Sequence, residues 1–147
     1  MTRGLKIASV VLAFALGASG QAEAHHAFAA EFDSNSPVLL RGKVTRVEWI
    51  NPHAWVHLVA QTPGKPDQEW MVEGGTPNTL FRSGINKASL RPGTTIIVRG
   101  YQSKDHLCTP QCRANGRDLT LENGQKLFMG SSGTGAPKDG SDASEKK

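Results

Sequence analysis

The residues best suited to chemistry in this chain of 147 residues are its histidines and its two cysteines. His25 and His26 are adjacent, His53 follows an Asn-Pro pair, and three residues separate Cys108 from Cys112. Imidazole nitrogen and thiolate sulfur are the usual protein ligands of copper and zinc. A transition-metal site is therefore the first hypothesis, and it depends on where the chain begins after processing.

The first 24 residues are typical of a secretory signal peptide. Basic residues precede an apolar run over residues 7–18, and residues 22–24 (AEA) supply the small side chains of a cleavage site. The apolar run is shorter than the roughly 20 residues that span a bilayer. We therefore expect cleavage after Ala24, with an earlier cut after residue 20 or 22 as the alternative. The mature chain would be periplasmic or secreted, without stable membrane insertion.

Cleavage after Ala24 would make His25 the amino-terminal residue. Its α-amine and its imidazole Nδ1 could then chelate one metal ion, and a ring nitrogen of His26 or His53 would complete a set that suits Cu(II), an arrangement called a histidine brace. The alternative is a polar stub, frayed like most chain ends. Since the 13 residues from His25 to Val38 span up to about 43–47 Å when extended, His25 can reach His53. We predict copper bound by these three histidines.

His53 ends the segment EWINPH, residues 48–53. Asn51 and Pro52 predict a turn in front of it, so the backbone would fix the position of its ring. The alternative role for His53 is capping or stacking against Trp49 or Trp55. Both interpretations place the histidine in a loop between two predicted strands.

Two further polar residues carry weaker signals. His57 lies four residues after His53 in a predicted strand, which puts the two about 13 Å apart, too far to share one ion. We expect His57 at a solvated or edge position. Glu73 ends another predicted strand and is a candidate carboxylate ligand or general base, although a single exposed glutamate is a weak signal.

The two cysteines predict a disulfide. In an oxidising compartment Cys108 and Cys112 most simply bond to each other. The alternative is a soft metal site, in which His106 and the two thiolates hold Cu(I) or Zn(II). A C-x₃-C pair with one histidine is incomplete as a zinc site, so the disulfide is favoured.

Hydrophobic patterning and turn residues predict a mainly β domain with a helix between the third and fourth strands. Thr76 would cap that helix, Pro77 would be its first residue, Leu80 and Phe81 would form its buried side, and Gly84 would follow its end. This order matches the OB-fold, so we predict a small OB-like Greek-key barrel, with an open sandwich or meander as the alternative. The predicted strand segments are residues 38–49, 54–61, 68–73, 94–101, 119–121 and 126–129, the last two joined by Asn123-Gly124.

Composition limits the domain organisation and the partners. Sixteen glycines and 20% charged residues exclude a coiled coil, and a net charge of +4 is too small to indicate nucleic-acid binding. Residues 130–147 contain no large apolar side chain, so we predict a disordered tail. The predicted organisation is a signal peptide over residues 1–24, a barrel domain over 25–129 and a tail over 130–147.

Several segments resemble a family of small exported bacterial proteins that is catalogued only as a domain of unknown function. They are HHAFAAEFD, GKVTRVEWINPHAW, EWMVEGGTPNTLFRSG, LRPGTTIIVRGY and DLTLENGQKLF, which together cover about residues 25–129. The resemblance implies an exported β-rich domain, and it matches His25, His26 and His53 to family positions. It implies no activity. The Cys108/Cys112 pair departs from the family pattern.

These observations favour an exported binding protein for a metal ion, copper in preference, over an enzyme. The chain has none of the sequence motifs of familiar hydrolases, phosphate-binding proteins or haem proteins. A binding module for a small ligand or an envelope partner, using Trp49 and Trp55 and no metal, is the alternative. A third interpretation is a copper-dependent oxidase, which would need an open coordination position.

Overall fold

The computed structural model describes residues 28–61 and 63–130. The predicted signal peptide, His25, His26 and the tail beyond residue 130 lie outside the described residues. Within them the fold is mainly β, as predicted: six strands form one sheet, and helix is confined to residues 28–31 and one six-residue segment. The elements are β1 (Phe32–Glu48), β2 (Trp55–Ala60), β3 (Gln68–Glu73), α1 (Pro77–Arg82), β4 (Thr95–Ser103), β5 (Cys112–Leu121) and β6 (Lys126–Phe128).

The strands follow the order β3–β2–β1–β4–β5–β6, and β3 also pairs with β5. The β3–β5 pair is parallel, whereas all other pairs of neighbouring strands are antiparallel. Each strand from β1 to β5 therefore has a partner on both edges, which leaves few backbone groups of these strands open to further pairing. One hydrophobic core lies against the sheet; its most buried members include Val44, Val56, Leu58, Val72, Leu80, Val98, Ala114 and Leu119.

The first strand is longer than predicted, since it begins at Phe32 and not at Val38. Its early part pairs with β4 and its later part with β2, and near its middle Gly42 faces both neighbours. A Cβ at Gly42 would collide with the Val59 carbonyl, so the close approach of β1 and β2 needs glycine there. The register of the β1–β2 pair shifts a little later, between Val44 and Arg46.

The helix forms as its local sequence predicts. The Thr76 side chain accepts a hydrogen bond from the Thr79 backbone N–H at 3.1 Å, and Gly84 has a φ of 89°, the left-handed conformation that often follows a helix. Leu80 is fully buried, but Phe81 is 44% exposed. The prediction that both form the buried side was therefore wrong for Phe81, which stacks on Trp49 with ring centroids 5.2 Å apart.

The fifth strand is also longer than predicted. Only residues 119–121 showed strand character in the sequence, whereas β5 starts at Cys112. Its first six residues include the buried polar residues Asn115 and Arg117, so this part of the strand lacks the apolar alternation by which strands are found. The turn at Asn123-Gly124 is as predicted, with Gly124 at a φ of 83°. No helix in the described part of the chain is long and apolar enough to cross a membrane.

Candidate functional site

The candidate site lies on the side of the sheet that faces away from the core. Val56, Val72 and Ala114 belong to the core, and side chains alternate between the two faces of a strand. The residues that precede and follow each of these three in the sequence therefore point to the opposite side of the sheet, which we call the outer face. Its members on β2, β3 and β5 are Trp55, His57, Met71, Glu73, Arg113 and Asn115, in cross-strand register with one another.

His53 is held at the edge of this face by the backbone around it. The Ala54 N–H donates to the Gly75 carbonyl at 3.0 Å, and the Gly74 N–H donates to the Ala54 carbonyl at 2.8 Å. These bonds continue the pairing of β2 and β3 into the loop. The His53 ring Nδ1 lies 3.2 Å from the Gly74 carbonyl oxygen and 3.7 Å from Glu73 Oε1. A fixed His53 was the expectation from the Asn-Pro turn.

The contact with the Gly74 carbonyl assigns a tautomer to His53. A carbonyl oxygen only accepts hydrogen bonds, so Nδ1 carries the proton in this contact and the neutral ring keeps its lone pair on Nε2. The same pattern orients histidines that bind metals through the other ring nitrogen. The His53 side chain is 39% exposed. The two indoles considered as its stacking partners pack elsewhere: Trp49 on Phe81, and Trp55 against the Arg113 guanidinium.

Glu73 carries a buried carboxyl group, not the exposed side chain considered in the sequence. The residue is 9% exposed, and the Asn115 side-chain amide donates to its Oε1 at 3.2 Å. Burial raises the pKa of Glu73, and the nearby negative charge of Glu31 raises it further, while His53, Asn115 and Arg113 act in the opposite direction. The Asn115 Oδ1 is buried without a hydrogen-bond partner among the described residues. The site therefore combines a buried acid with unused hydrogen-bonding capacity.

His57 is buried, and its predicted position at an edge or in solvent was wrong. The residue is 2% exposed. Its Nε2 lies 2.9 Å from Glu48 Oε1, an ion-pair distance without the alignment of a hydrogen bond, and its Nδ1 lies 3.4 Å from Gln111 Oε1. Its partners differ from those of His53. Polar neighbours on β1 and in the β4–β5 loop cover the ring, and the sequence of β2 alone carries no sign of them.

The segment before β1 packs on the outer face. Phe28 and Phe32 are buried in a cluster with Tyr101, and the ring centroids of Phe28 lie 5.8 Å from Phe32 and 5.6 Å from Tyr101. The two phenylalanines therefore anchor this segment to the sheet. Between them, Glu31 pairs with Arg113, whose Nη2 lies 3.1 Å from its Oε2. The described chain thus begins on the same face that holds Glu73.

The disulfide between Cys108 and Cys112 is confirmed. Both sulfurs are used in this bond, so the alternative thiolate site with His106 is wrong. His106 instead lies with its Nε2 4.0 Å from Asp33 Oδ2. Cys112 is the first residue of β5, so the bond fixes the start of the strand that carries Arg113 and Asn115.

His53 and Glu73 are two potential metal donors that meet on the outer face. Among residues 28–61 and 63–130, no group of three or more His, Cys, Asp or Glu side chains is placed to hold a metal ion. His25 and His26, the other predicted ligands, lie outside these ranges. The described donors are thus one imidazole with a lone pair on Nε2 and one buried carboxyl group.

Comparison with curated proteins and with solved structures gives no match. A match to a protein family covers residues 13–110. This range includes His25, His26 and His53 and ends before Cys112. It starts earlier and ends earlier than the resemblance noted in the sequence, which covers about residues 25–129. The matched residues make up more than half of the chain, and the chain therefore belongs to the family of unknown function (DUF6152).

Proposed function

We propose that the mature protein is an exported binding protein for a transition-metal ion, with copper favoured, and that it is not an enzyme. His25, exposed by cleavage after Ala24, supplies its α-amine and its imidazole Nδ1. His26 or His53 completes the nitrogen set, and the Glu73 carboxylate is a neighbouring oxygen donor. Nitrogen ligands in a planar set suit Cu(II), which binds such sites more tightly than the other common divalent metals.

The single observation that supports this proposal most strongly is the setting of His53. Its Nδ1 is engaged by the Gly74 carbonyl at 3.2 Å, so Nε2 is the nitrogen that keeps a lone pair. The ring is carried by a loop tied into the β2–β3 ladder, and the side chain is 39% exposed. An oriented imidazole with accessible surface is what a metal ligand needs.

The position of Phe28 shortens the tether that joins the proposed amino-terminal ligand to the sheet. Tyr101, Asn115 and Glu73 follow one another across β4, β5 and β3, so Tyr101 and Glu73 are two strand spacings apart, about 10 Å. Phe28 packs on Tyr101. The three residues from Phe28 back to His25 span up to about 10 Å. The tether from Phe28 is thus three residues, much shorter than the 13 residues counted from the start of the predicted strand, and its extended length is comparable to the spacing between Tyr101 and Glu73.

We further propose that the sheet is an OB-like Greek-key barrel. The proposal is supported by the ring of pairings β1–β2–β3–β5–β4–β1 and by the helix between β3 and β4. An open sandwich would leave β3 and β5 unpaired with each other. In such a barrel the loop between β1 and β2, which carries His53, is one of the two loops that flank the usual binding face.

A copper titration of the mature chain tests the function. Chain that begins at His25 should bind Cu(II) in competition with a chelator of known affinity, and His25→Ala and His53→Ala should each bind more weakly, by about tenfold or more, as expected when a ligand is lost. His106→Ala, which changes a histidine outside the proposed ligand set, is the matched control. A chain that keeps Ala24 should lose affinity as His25→Ala does, because its residue 25 has an amide in place of the amine. Affinity that is equally weak in the unaltered chain and in all these variants would reject the proposal, as would exported protein whose mass shows another first residue.

A second candidate is a module that binds a small ligand or an envelope partner without metal. It is favoured by the apolar surface beside the same loop, where Phe81 is 44% exposed and stacked on Trp49 and Ile50 is 50% exposed. Binding by the exported chain that is unchanged by a chelator and lost in Phe81→Ser would support it over the metal site.

A further inference from the structure

A cleft of about 310 Å³ lies between the last two strands. It is lined by Arg117 and Asp118 of β5 and by Lys126 and Phe128 of β6. Asp118 and Phe128 are cross-strand partners, and the next pair, Leu119 and Leu127, belongs to the core, so the cleft lies on the opposite side of the sheet. Its volume is at the lower end of the range for small-molecule sites, which begins at about 300 Å³.

A β-bulge brings two consecutive residues of β5 into this cleft. The register between β4 and β5 shifts between Arg99 and Gly100, and Arg117 is the extra residue on β5 at that point. Neighbouring side chains of a regular strand point to opposite faces, whereas here Arg117 and Asp118 line one cleft. The Met129 N–H donates to the Arg117 carbonyl at 3.0 Å, which ties the bulge to the chain that follows β6. Bulges often re-aim a side chain beside a functional site.

The charges around the cleft are mostly positive. Arg99 donates to both oxygens of Asp118, from Nε at 3.0 Å and from Nη2 at 2.8 Å. The Arg117 Nε and the Lys126 Nζ lie 3.8 Å and 3.7 Å from Asp118 Oδ2, beyond the usual hydrogen-bond distance. Three cations thus share one carboxylate, and these four side chains together carry an excess of two positive charges. Such a group attracts an anion.

We infer that this cleft binds a phosphate monoester, with the phosphate group against Arg117 and Lys126 and the organic group against the Phe128 ring. A phosphate monoester carries about −1.5 to −2 charges at pH 7, which matches the positive excess. An arginine fork binds phosphate through two hydrogen bonds, and a lysine adds a point charge. Phe128 is 37% exposed, so its ring is accessible to an apolar group. The inference uses none of the residues of the proposed metal site and is independent of it.

Isothermal titration calorimetry of the metal-free chain that begins at His25 tests the site. Three probes are compared at one ionic strength: phenyl phosphate, inorganic phosphate and benzoate. Inorganic phosphate lacks the ring, and benzoate has the ring but a single negative charge. We expect phenyl phosphate to bind most tightly of the three, because it offers both the phosphate and the apolar group.

Variants of the lining residues locate the binding. Lys126→Glu and Arg117→Met should each bind phenyl phosphate about tenfold to a hundredfold more weakly, as expected when a hydrogen bond to a charged group is lost. Phe128→Ser should reduce the affinity for phenyl phosphate to that for inorganic phosphate. Lys65→Glu is the matched control, because Lys65 is an exposed lysine of the β2–β3 loop and the substitution changes the net charge by the same amount. Since the Lys126 side chain is 52% exposed, Lys126→Glu keeps the test valid even if Arg117→Met unfolds the chain.

Three results would overturn the inference. The first is equal weakening by Lys65→Glu and Lys126→Glu, which long-range attraction alone explains. The second is benzoate that binds as tightly as phenyl phosphate, and the third is phenyl phosphate that does not bind.

Sedimentation with vesicles of phosphatidylcholine that contain phosphatidate then identifies the source of the phosphate. Vesicle binding that is lost in Lys126→Glu assigns the phosphate to a lipid headgroup, whereas a lack of vesicle binding assigns it to a soluble ester. Either result, with phenyl phosphate bound, supports the site.

Discussion

At the scale of single residues, the structure changes the meaning of the polar side chains most. His53 was singled out by its Asn-Pro turn, because backbone chemistry that fixes a ring is local and visible in sequence. Glu73 and His57 were wrongly expected to be exposed, because the side chains that bury them come from distant parts of the sequence. Glu73 contacts Asn115 on β5, and His57 contacts Glu48 on β1 and Gln111. Outward-facing strand positions are ordinarily solvated, and here neighbouring side chains from other elements surround them.

A prediction follows for the pH dependence of stability in the metal-free protein. Burial raises the pKa of Glu73 in the folded chain above its ordinary value. Between the ordinary and the raised pKa the folded chain keeps a proton that the unfolded chain has lost, so the free energy of unfolding falls as pH rises through this window. Glu73→Gln keeps an acceptor for Asn115 and has no carboxyl group to ionise. We expect the variant to match the unaltered protein near pH 4 and to be the more stable of the two at pH 7.

Urea unfolding at a series of pH values checks this expectation. Glu69→Gln is the matched control, because Glu69 is an exposed glutamate of the same strand. If the free energies of unfolding of Glu73→Gln and of the unaltered protein run parallel from pH 4 to pH 7, the expectation that burial destabilises the Glu73 carboxylate is wrong.

At the scale of elements, the sequence predicted the pieces that local chemistry defines. The helix from Pro77 to Arg82 has its cap, its proline and its terminal glycine in place, and β3 occupies the predicted residues. The first part of β1 and the first part of β5 were missed. Residues 33–36 (DSNS) and 115–118 (NGRD) are polar or glycine. Residues 115–118 form strand because β4 pairs with them, and residues 33–36 lie in an irregular stretch between Phe32 and Pro37, both of which pair with β4. Pairing between distant strands is a tertiary effect that propensity does not contain.

The disulfide gives a prediction for the loop that precedes β5. Cys108 and Cys112 close a loop with a sequence separation of 4, and the chain-entropy relation assigns a loop this short about 2 kcal/mol of stabilisation. We expect Cys108→Ser/Cys112→Ser to lower the free energy of unfolding by about this amount. Chemical denaturation under oxidising conditions measures the difference.

The same experiment with a reductant supplies the control. Reduction of the unaltered protein should lower its stability to that of the double serine variant, while the variant itself should not respond. A double variant as stable as the oxidised protein would show that the β4–β5 loop is fixed by its other contacts, such as the bond from Ser103 Oγ to Asp105 at 2.7 Å.

At the scale of the whole molecule, the proposed site is a product of connectivity. The β1–β2 loop brings His53, β3 ends at Glu73, β5 contributes Asn115 and Arg113, and the segment before β1 returns over the same strands. Each contribution comes from a different part of the chain, so no sequence motif could specify it. The parallel β3–β5 pair joins two of these parts directly, which makes the sheet topology itself a requirement for the site.

The end of the chain provides the last prediction. Residues 131–147 contain no large apolar side chain, and their three lysines balance three carboxylates, so the sequence predicts that they contribute little to the folded domain. A chain ending at Gly130 should keep both its melting temperature and its copper affinity. Thermal unfolding and the competitive titration test the two parts separately. A fall in melting temperature of about 4 °C or more, equivalent to about 1 kcal/mol in a domain of this size, would show that the tail belongs to the fold. A change in affinity alone would mean that the tail takes part in metal binding, and the ligand set built on His25 and His53 would then be incomplete.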